Sequence, residues 1–305
     1  MKEKTKLLKK ACGDSSCGDG VFGIFVYIFV AAILFMTLYP LIYVISMAIS
    51  DPLEAARGHV YFLPKGFSLT AIKTVLEDRQ IFHYYLNTIW FTVVGTVFGV
   101  TFTALTAYPL SRKEFLYRNI FMKLIVFTMF FSGGIIPLYI VVTQYVHLYN
   151  SRWALILPSL TTAWFVIVAR SFFESIPDEI IECARIDGAS EYRIFVQMMI
   201  PLSKPVLAVL ALYFAVGFWN DYFNAMLYLG KKELQPLAMY VRSVVIQSSL
   251  ATLEDTAVEI STSDVLSKLQ IKYAVIVVSV LPMLLIYPFI SKNLEKGLMI
   301  GAVKG

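Results

Sequence analysis

The chain has 305 residues, of which 58% are hydrophobic and only 15% are charged, and its mean hydropathy is +0.70. Soluble domains carry about 25% charged residues, so this composition excludes an ordinary soluble domain and indicates an integral membrane protein. The net charge of +5 fits basic flanks beside membrane helices and contact with anionic lipid. Nothing in the sequence indicates nucleic-acid binding.

Apolar windows long enough to cross a bilayer occur along most of the chain, since a spanning helix needs about 20 residues. In chain order they lie near 21–49, 86–110, 120–142, 153–172, 206–229 and 271–290. Their continuous apolar character favours helices over the short alternating strands of a barrel. We therefore expect an all-α, multi-pass protein of the cell membrane with six transmembrane helices.

The distribution of Lys and Arg predicts that both termini lie in the cytoplasm. Basic residues are more frequent in 1–20, 111–123, 170–204 and 291–305 than in the alternate segments. The first apolar run is longer than the core of a signal peptide and lacks a convincing cleavage site, so we expect it to remain as a helix. The expected organisation is listed in chain order: cytoplasmic tail 1–20, first transmembrane helix 21–50, extracytoplasmic loop 51–85, core 86–290 with an inserted loop 175–205, and cytoplasmic tail 291–305.

Residue types that support metal or nucleophilic chemistry are few and scattered. They are Cys12, Cys17, Cys183, His59, His83 and His147. Their spacing matches no metal site and no nucleophile–base pair, and the chain has no glycine-rich phosphate loop. We expect neither an enzyme nor a bound metal or cofactor.

A polar interruption divides the third apolar window. Ser132, Gly133 and Gly134 are followed by Pro137, a sequence that breaks a helix. Non-helical backbone at membrane depth is either buried in protein or lines a wet cavity. The residues leave open whether this break is a packing kink or part of a pathway.

The charged segment 175–205 separates the fourth and fifth windows and predicts two short helices. Ser175 is a candidate cap for the first, whose opening turn holds acidic residues, and Gly188 is a candidate left-handed terminator. Ser190 and Glu191 are expected to begin the second, which Pro201 and Pro205 end. Its expected apolar stripe consists of Tyr192, Phe195, Val196 and Met199.

The first of these helices combines small residues with charges. Cys183, Ala184 and Ala189 would permit close approach by a partner, and the surrounding charged residues would orient it. Those charges are Glu179, Glu182, Arg185 and Asp187. The same pattern also fits a hairpin at the membrane surface with a solvated charged face, and physical reasoning alone leaves both interpretations open.

The segment resembles the EAA motif of ABC-importer permease subunits. The matching residues are Glu182, Cys183, Ala184, Asp187, Gly188, Ala189, Phe195, Pro201 and Pro205, with Cys183 replacing a customary alanine. Further similarities are Asn87-Thr88, Ala107-Tyr108 with Ser111-Arg112, Trp219 to Tyr222, and the tail Lys296 to Gly305. The chain is most similar to the carbohydrate-uptake group, including maltose-type inner permeases, and residues 131–139 resemble a branch associated with polysaccharide fragments.

The resemblance implies a type I ABC-importer permease fold in which the elbow 175–205 is a cytoplasmic coupling element. It implies a second permease subunit, usually a different chain, two copies of a cytoplasmic ABC ATPase that binds the ATP, and an extracytoplasmic sugar-binding protein. The implied ATPase-coupling residues are Glu179, Glu182, Cys183, Ala184, Asp187, Gly188, Ala189, Phe195 and Pro201. The alternatives are a permease for a non-sugar solute and a secondary transporter, although no internal repeat favours the latter.

Two further sets of residues have weaker expectations. Trp219, Asn220 and Asp221 supply the aromatic and polar groups that a sugar needs, but they also fit an interfacial anchor. Tyr213 and Phe214 are expected to be packing residues. By resemblance, the tail residues Gly301 and Lys304 contact the ATPase, whereas a frayed end is the alternative.

Overall fold

The computed structural model describes residues 17–254 and 270–285. These residues fall into two compact units, one containing 17–72 with 270–277 and the other 73–254 with 278–285. The described residues form helices and turns without a strand, which confirms the all-α expectation for this part of the chain. The helices are, in chain order, α1 (Cys17–Ala48), α2 (Pro52–Ala56), α3 (Thr70–Glu77), α4 (Arg79–Ser111), α5 (Arg118–Phe130), α6 (Ile135–Ile140), α7 (Trp153–Ile156), α8 (Ala163–Glu174), α9 (Asp178–Ile186), α10 (Glu191–Ile194), α11 (Ile200–Leu202), α12 (Lys204–Trp219), α13 (Phe223–Tyr228), α14 (Leu237–Glu254) and α15 (Gln270–Leu285).

The first unit consists of a long apolar helix and a small core, in which polar side chains bind backbone groups at the helix ends. Helix α1 is exposed along its membrane-length window, as expected for a lipid-facing helix. At its end, the buried Gln270 donates through Nε2 to the carbonyl oxygens of Met47 and Ser50. Asp51 caps α2 by accepting from the amide of Leu53 at 2.9 Å. These bonds satisfy backbone groups that helix ends leave without partners.

The second unit is organised around α4, which packs against both α8 and α12. Two glycines of α4, Gly95 and Gly99, lie one helical turn apart and face Phe218 and Phe214 of α12. The absence of side chains there lets the two helices approach closely, as small residues do in membrane helix pairs. Helix α4 begins earlier than expected because Asp78 caps it, accepting from the amide of Gln80 at 2.9 Å.

The break that the sequence predicts in the third window is present, whereas the expectation of single continuous helices for the fourth and fifth windows is wrong. The third divides into Arg118–Phe130 and Ile135–Tyr145, which meet at 113°, and the fourth into Trp153–Ser159 and Ala163–Glu174, which meet at 52°. In the third, Gly134 has a φ of 86°, a value that residues other than glycine rarely adopt. In the fifth, α12 ends at Trp219, before the separate helix α13.

Two helices, Phe22–Ala48 and Arg79–Ser111, are by themselves long and apolar enough to cross a membrane. The number rises to five if each bent pair is counted as one span. Helix α15 covers the first part of the sixth predicted window, and residues 286–290 lie outside the described part. The six-span, both-ends-inside topology therefore stays a prediction.

The end of α4 that begins at Arg79 is attached to the segment after α13. Buried Asn87 donates through Nδ2 to the carbonyl oxygens of Glu233 at 2.7 Å and Gln235 at 3.1 Å. Arg152 donates to the Asn87 amide oxygen at 3.1 Å. Thr88 accepts at 2.7 Å from the first amide of α14. The pair Asn87-Thr88, noted in the sequence, thus fixes a connecting segment to the central helix.

Candidate functional site

The first helix of the elbow is α9, and it differs from expectation only at its start. Pro177 occupies the cap position of α9, whereas the hydroxyl of Ser175 donates to the Phe172 carbonyl at 2.7 Å and belongs to the end of α8. The expectation that Ser175 caps α9 is therefore wrong, because the proline has already extended the backbone. Gly188 has a φ of 81° and terminates the helix as predicted.

The second helix begins at α10, as expected, with Ser190 accepting from the Arg193 amide at 3.4 Å. A π-helical turn over Phe195–Met199 then joins α10 to α11. This wider turn shifts the buried face, so the predicted stripe is partly wrong. Phe195 and Met199 are buried together with Ile194, whereas Tyr192 is 76% exposed. The bend to α12 occurs at Ser203, and its angle is 80°.

One face of α9 is exposed and combines acidic, small and apolar side chains. It is formed by Glu179, Glu182, Cys183, Ile186 and Asp187. Ile186 is 85% exposed although it is a large aliphatic residue. Sequence reasoning missed Ile186, even though its position one turn after Glu182 and Cys183 places it on the same helix face. We call these five residues the α9 face.

The remaining elbow residues lie beside or beneath the α9 face. Gly188 and Pro201 are exposed, Ala189 is half-buried, and Ala184 and Phe195 are buried. Ala184 and Phe195 belong to an apolar core that also contains residues of α4, α5, α8 and α12. Their side chains therefore hold the elbow against the membrane helices and do not contribute to its exposed surface.

A charged network joins the elbow to the end of α4. Arg185 donates through Nη1 to Glu114 Oε1 at 2.7 Å and through Nε to Glu191 Oε1 at 2.9 Å. The other oxygen of Glu191 accepts from the hydroxyl of Tyr108 at 2.8 Å. The hydrogen bond from Arg185 lowers the pKa of Glu114 below its ordinary value. Arg185 thus binds the loop after α4 and the second elbow helix at once.

The opposite end of α9 has its own ion pair with the same loop. Lys113 Nζ lies 2.8 Å from Asp178 Oδ2, and this hydrogen bond lowers the pKa of Asp178. Arg112 Nη1 lies 3.7 Å from Asp178 Oδ1, and Arg112 Nη2 donates to the Phe173 carbonyl at 2.9 Å. Arg112 is only 7% exposed. Both ends of α9 are therefore held by three consecutive loop residues.

A second candidate region is a cleft of about 400 Å³ beside the end of α12. Its lining residues are Ser159, Thr162, Phe165, Tyr213, Phe214, Gly217, Phe218, Asn220, Asp221 and Asn224. The carboxylate of Asp221 accepts from the side-chain amide of Asn224 at 3.0 and 3.1 Å, and one oxygen also accepts from its backbone amide. The cleft therefore combines aromatic faces with amides and hydroxyls.

The structure separates the three residues that the sequence grouped as a substrate path. Asn220 and Asp221 line the cleft, whereas Trp219 is buried elsewhere, with its ring centroid 6.4 Å from that of Tyr85. The helix ends at Trp219, and the chain turns at Asn220, so neighbours in sequence face different surroundings. Of the two residues expected to be packing residues, Phe214 is buried, whereas Tyr213 lines the cleft, is 60% exposed and has its ring centroid 5.8 Å from that of Phe165.

Two expectations concern other parts of the chain. Gly301 and Lys304 lie outside the described residues. Among the residues that the structure describes, no group of three or more His, Cys, Asp or Glu side chains is arranged to hold a metal ion.

Comparison with known proteins identifies the chain's family. Residues 95–300 match the family described as "Binding-protein-dependent transport system inner membrane component". Protein LplC of Bacillus subtilis (strain 168) is 40% identical over 286 residues, which cover 93% of this chain and 95% of that protein. The chain belongs to this family. The resemblance of the chain to ABC-importer permeases is thereby confirmed, and the protein is an inner-membrane transport component and not an enzyme.

Two further proteins are similar over nearly the whole chain. The polygalacturonan/rhamnogalacturonan transport system permease protein YtcP of B. subtilis (strain 168) is 36% identical over 285 residues, 93% of this chain and 99% of that protein. A crystal structure of a bacterial ABC transporter involved in the import of the acidic polysaccharide alginate contains a chain with a TM-score of 0.82 and 32% identity. The match covers 92% of this chain and 98% of the chain in that structure.

Proposed function

We propose that this chain is one permease subunit of an ATP-driven importer of oligosaccharides, and that the α9 face docks a cytoplasmic ABC ATPase. The single observation that carries the docking proposal is the strong exposure of Ile186 among acidic residues on a helix that is firmly held from behind. An exposed aliphatic side chain at the centre of a polar rim is typical of a protein–protein interface.

The position of the elbow between membrane helices supports its role in energy coupling. The chain has no phosphate-binding loop of its own, so a partner must bind and hydrolyse the ATP. We propose two copies of this ATPase, a second permease that completes the translocation path, and an extracytoplasmic sugar-binding protein. In this arrangement, closure of the ATPase dimer moves the two elbows and changes which side of the membrane the path faces.

Oligosaccharides are the proposed substrate class for two reasons. YtcP is named for polygalacturonan and rhamnogalacturonan, and the similar crystal structure is of a transporter involved in alginate import. The cleft offers the groups that sugars use, namely the exposed ring of Tyr213 for the apolar face and the polar side chains of Asn220 and Asp221 for hydroxyl groups. We propose that Asn220, Asp221 and Tyr213 contact the sugar, and that Trp219 supports this region by packing.

The docking proposal is tested by purifying the tagged chain in mild detergent from its host. We expect an ATPase with a Walker A motif to co-purify and to hydrolyse ATP, and Glu182→Arg to remove it. The charge of the α9 face is acidic, so reversing one carboxylate opposes a complementary partner. Glu54→Arg, at a partly exposed carboxylate in the first unit, is the control. Retention of the ATPase by Glu182→Arg would contradict this use of the α9 face.

The substrate class is tested by measuring ATP hydrolysis of the purified complex in liposomes with its binding protein. Oligogalacturonides, alginate oligosaccharides and maltodextrins are the probes. We expect at least one of them to stimulate hydrolysis and to accumulate inside. If an amino acid or peptide mixture stimulates hydrolysis and none of the three sugars does, the carbohydrate assignment fails while the permease assignment stands.

A further inference from the structure

Three consecutive charged residues follow the last residue of α4, and their order matches the charges of the elbow helix beside them. Arg112 and Lys113 face Asp178, at the start of α9, and Glu114 faces Arg185, in its last turn. Because α9 spans only nine residues, this short loop reaches both of its ends. We call residues 112–114 the brace loop. At each end of α9, the brace loop and the helix therefore carry opposite charges.

The brace loop is attached to rigid structure on its other side. Arg112 is buried, donates to the carbonyl of Phe173 and to the hydroxyl of Ser111, and lies with its guanidinium carbon 5.5 Å from the ring centre of Tyr108. Tyr108 in turn donates to Glu191 in the second elbow helix. A continuous series of hydrogen bonds between charged and polar groups therefore links both elbow helices to the last turn of α4.

We propose that the brace loop is a positioning element for coupling, which transmits movement of the elbow into α4. The proposal rests on the proposed function, in which an ATPase moves the elbow. Lys113, Glu114 and Arg185 act as positioning residues, because their ion pairs join the brace loop to the two elbow helices. Apolar packing beneath the elbow resists compression, whereas the ion pairs at both ends of α9 also resist its sliding and rotation, because each pair fixes a direction.

The neighbouring helix α8 offers a matched control. Arg170 and Glu174 form an ion pair of 2.8 Å within α8, one turn apart. This pair resembles the Arg185–Glu114 pair in length and chemistry, but it joins residues of one helix and connects no two elements. If loss of any ion pair in this region disturbed the protein, Glu174→Gln would have the same effect as Glu114→Gln.

The test follows movement of α4 directly. Val97, an exposed residue near the middle of α4, is replaced by Cys while the natural cysteines stay in place, and alkylation at position 97 is measured separately by mass spectrometry of its peptide. In the whole transporter, purified with its ATPase and binding protein, we expect ATP with vanadate to change the rate of maleimide alkylation at position 97 several-fold. Glu114→Gln combined with Lys113→Gln should abolish most of this change while the ATPase remains bound and continues to hydrolyse ATP.

Two further variants distinguish a specific effect of the brace loop from a general effect of losing an ion pair. Glu114→Asp keeps the charge and should keep the ATP-induced change, and Glu174→Gln should keep it as well. An unaltered change in the Lys113→Gln, Glu114→Gln variant would overturn the proposal, as would the absence of any ATP-induced change at position 97 in the parent. Neither of these results would contradict the docking proposal, because docking is measured separately by retention of the ATPase. If the parent retains no ATPase, the proposed function fails and this inference fails with it.

Discussion

Phe218 of α12 lies so close to Gly95 of α4 that a Cβ atom on this glycine would stand 2.5 Å from its ring. Gly99 has the same relation to Phe214, at 2.7 Å. Both aromatic rings also belong to the apolar core of the second unit. The close approach of α4 and α12 therefore depends on two hydrogen atoms where any other residue would have a side chain.

We expect Gly95→Val to destabilise the protein by about 1–3 kcal/mol, since overpacking forces side chains and backbone to shift. Thermal unfolding in detergent, followed by tryptophan fluorescence, measures this effect. Gly217→Ala is the control, because a Cβ at Gly217 meets no atom within 4 Å. Equal melting temperatures for Gly95→Val and the parent would show that the two helices separate more readily than the structure indicates.

Ile186→Asp should reduce ATPase retention at least tenfold without affecting the amount of protein in the membrane. The side chain is exposed, so its replacement leaves the fold of the chain unchanged while a charge replaces the apolar centre of the α9 face. Pull-down of the tagged chain followed by quantification of the ATPase measures the result. Leu63→Asp is the matched control, since Leu63 is exposed on the first unit. A similar loss from both variants would contradict a specific docking role.

Tyr213→Ala should lower uptake between about twofold and about tenfold, because loss of one aromatic stacking face removes about 0.5–1.5 kcal/mol and 1.4 kcal/mol corresponds to a factor of ten. Tyr213→Trp keeps an aromatic face and should retain most uptake. Basal ATP hydrolysis and ATPase retention should be unchanged in both. Uptake is measured with whichever labelled sugar stimulates hydrolysis. Full uptake by Tyr213→Ala would remove this residue from the proposed sugar contacts.

Attachment of the elbow should be independent of pH until strongly acidic conditions. The partners Lys113 and Arg185 lower the pKa values of Asp178 and Glu114, so both ion pairs persist above the ordinary carboxyl pKa of about 4. They weaken only as the pH falls through the lowered values. A spin label on Cys183, with Cys12→Ser and Cys17→Ser, should show constant mobility from about pH 8 to about pH 5 and greater mobility below about pH 4. Increased mobility near neutral pH would contradict these ion pairs.

Local signals in the sequence were sufficient to predict where the first elbow helix ends and where the second begins. Gly188 terminates α9 and Ser190 caps α10, because a left-handed conformation and a capping hydroxyl are properties of single residues. The break at Gly133 and Gly134 was predicted for the same reason. Ser175 was placed wrongly because Pro177, two residues later, also fits a helix start.

Contacts between distant residues left no such signal. Glu114 and Arg185 are 71 positions apart, and nothing in their local sequence pairs them. The burial of Ala184 and the exposure of Ile186 depend on which side of α9 meets the core, and the π-helical turn at Phe195–Met199 altered the register that a regular helix would give. Trp219 was separated from Asn220 by the end of a helix, a boundary that composition does not locate.

Helix α4 has 33 residues and, at 1.5 Å per residue, a length of about 50 Å, which exceeds the hydrocarbon thickness of a bilayer of about 30 Å. Asn87 fixes a connecting segment near one end, and Arg112 directly follows the other. A rigid rod of this length acts as a lever: a tilt of about 10° about one end displaces its midpoint by about 4 Å and its other end by about 9 Å. A displacement at the elbow can therefore reach the middle of the membrane without any change in the helix itself.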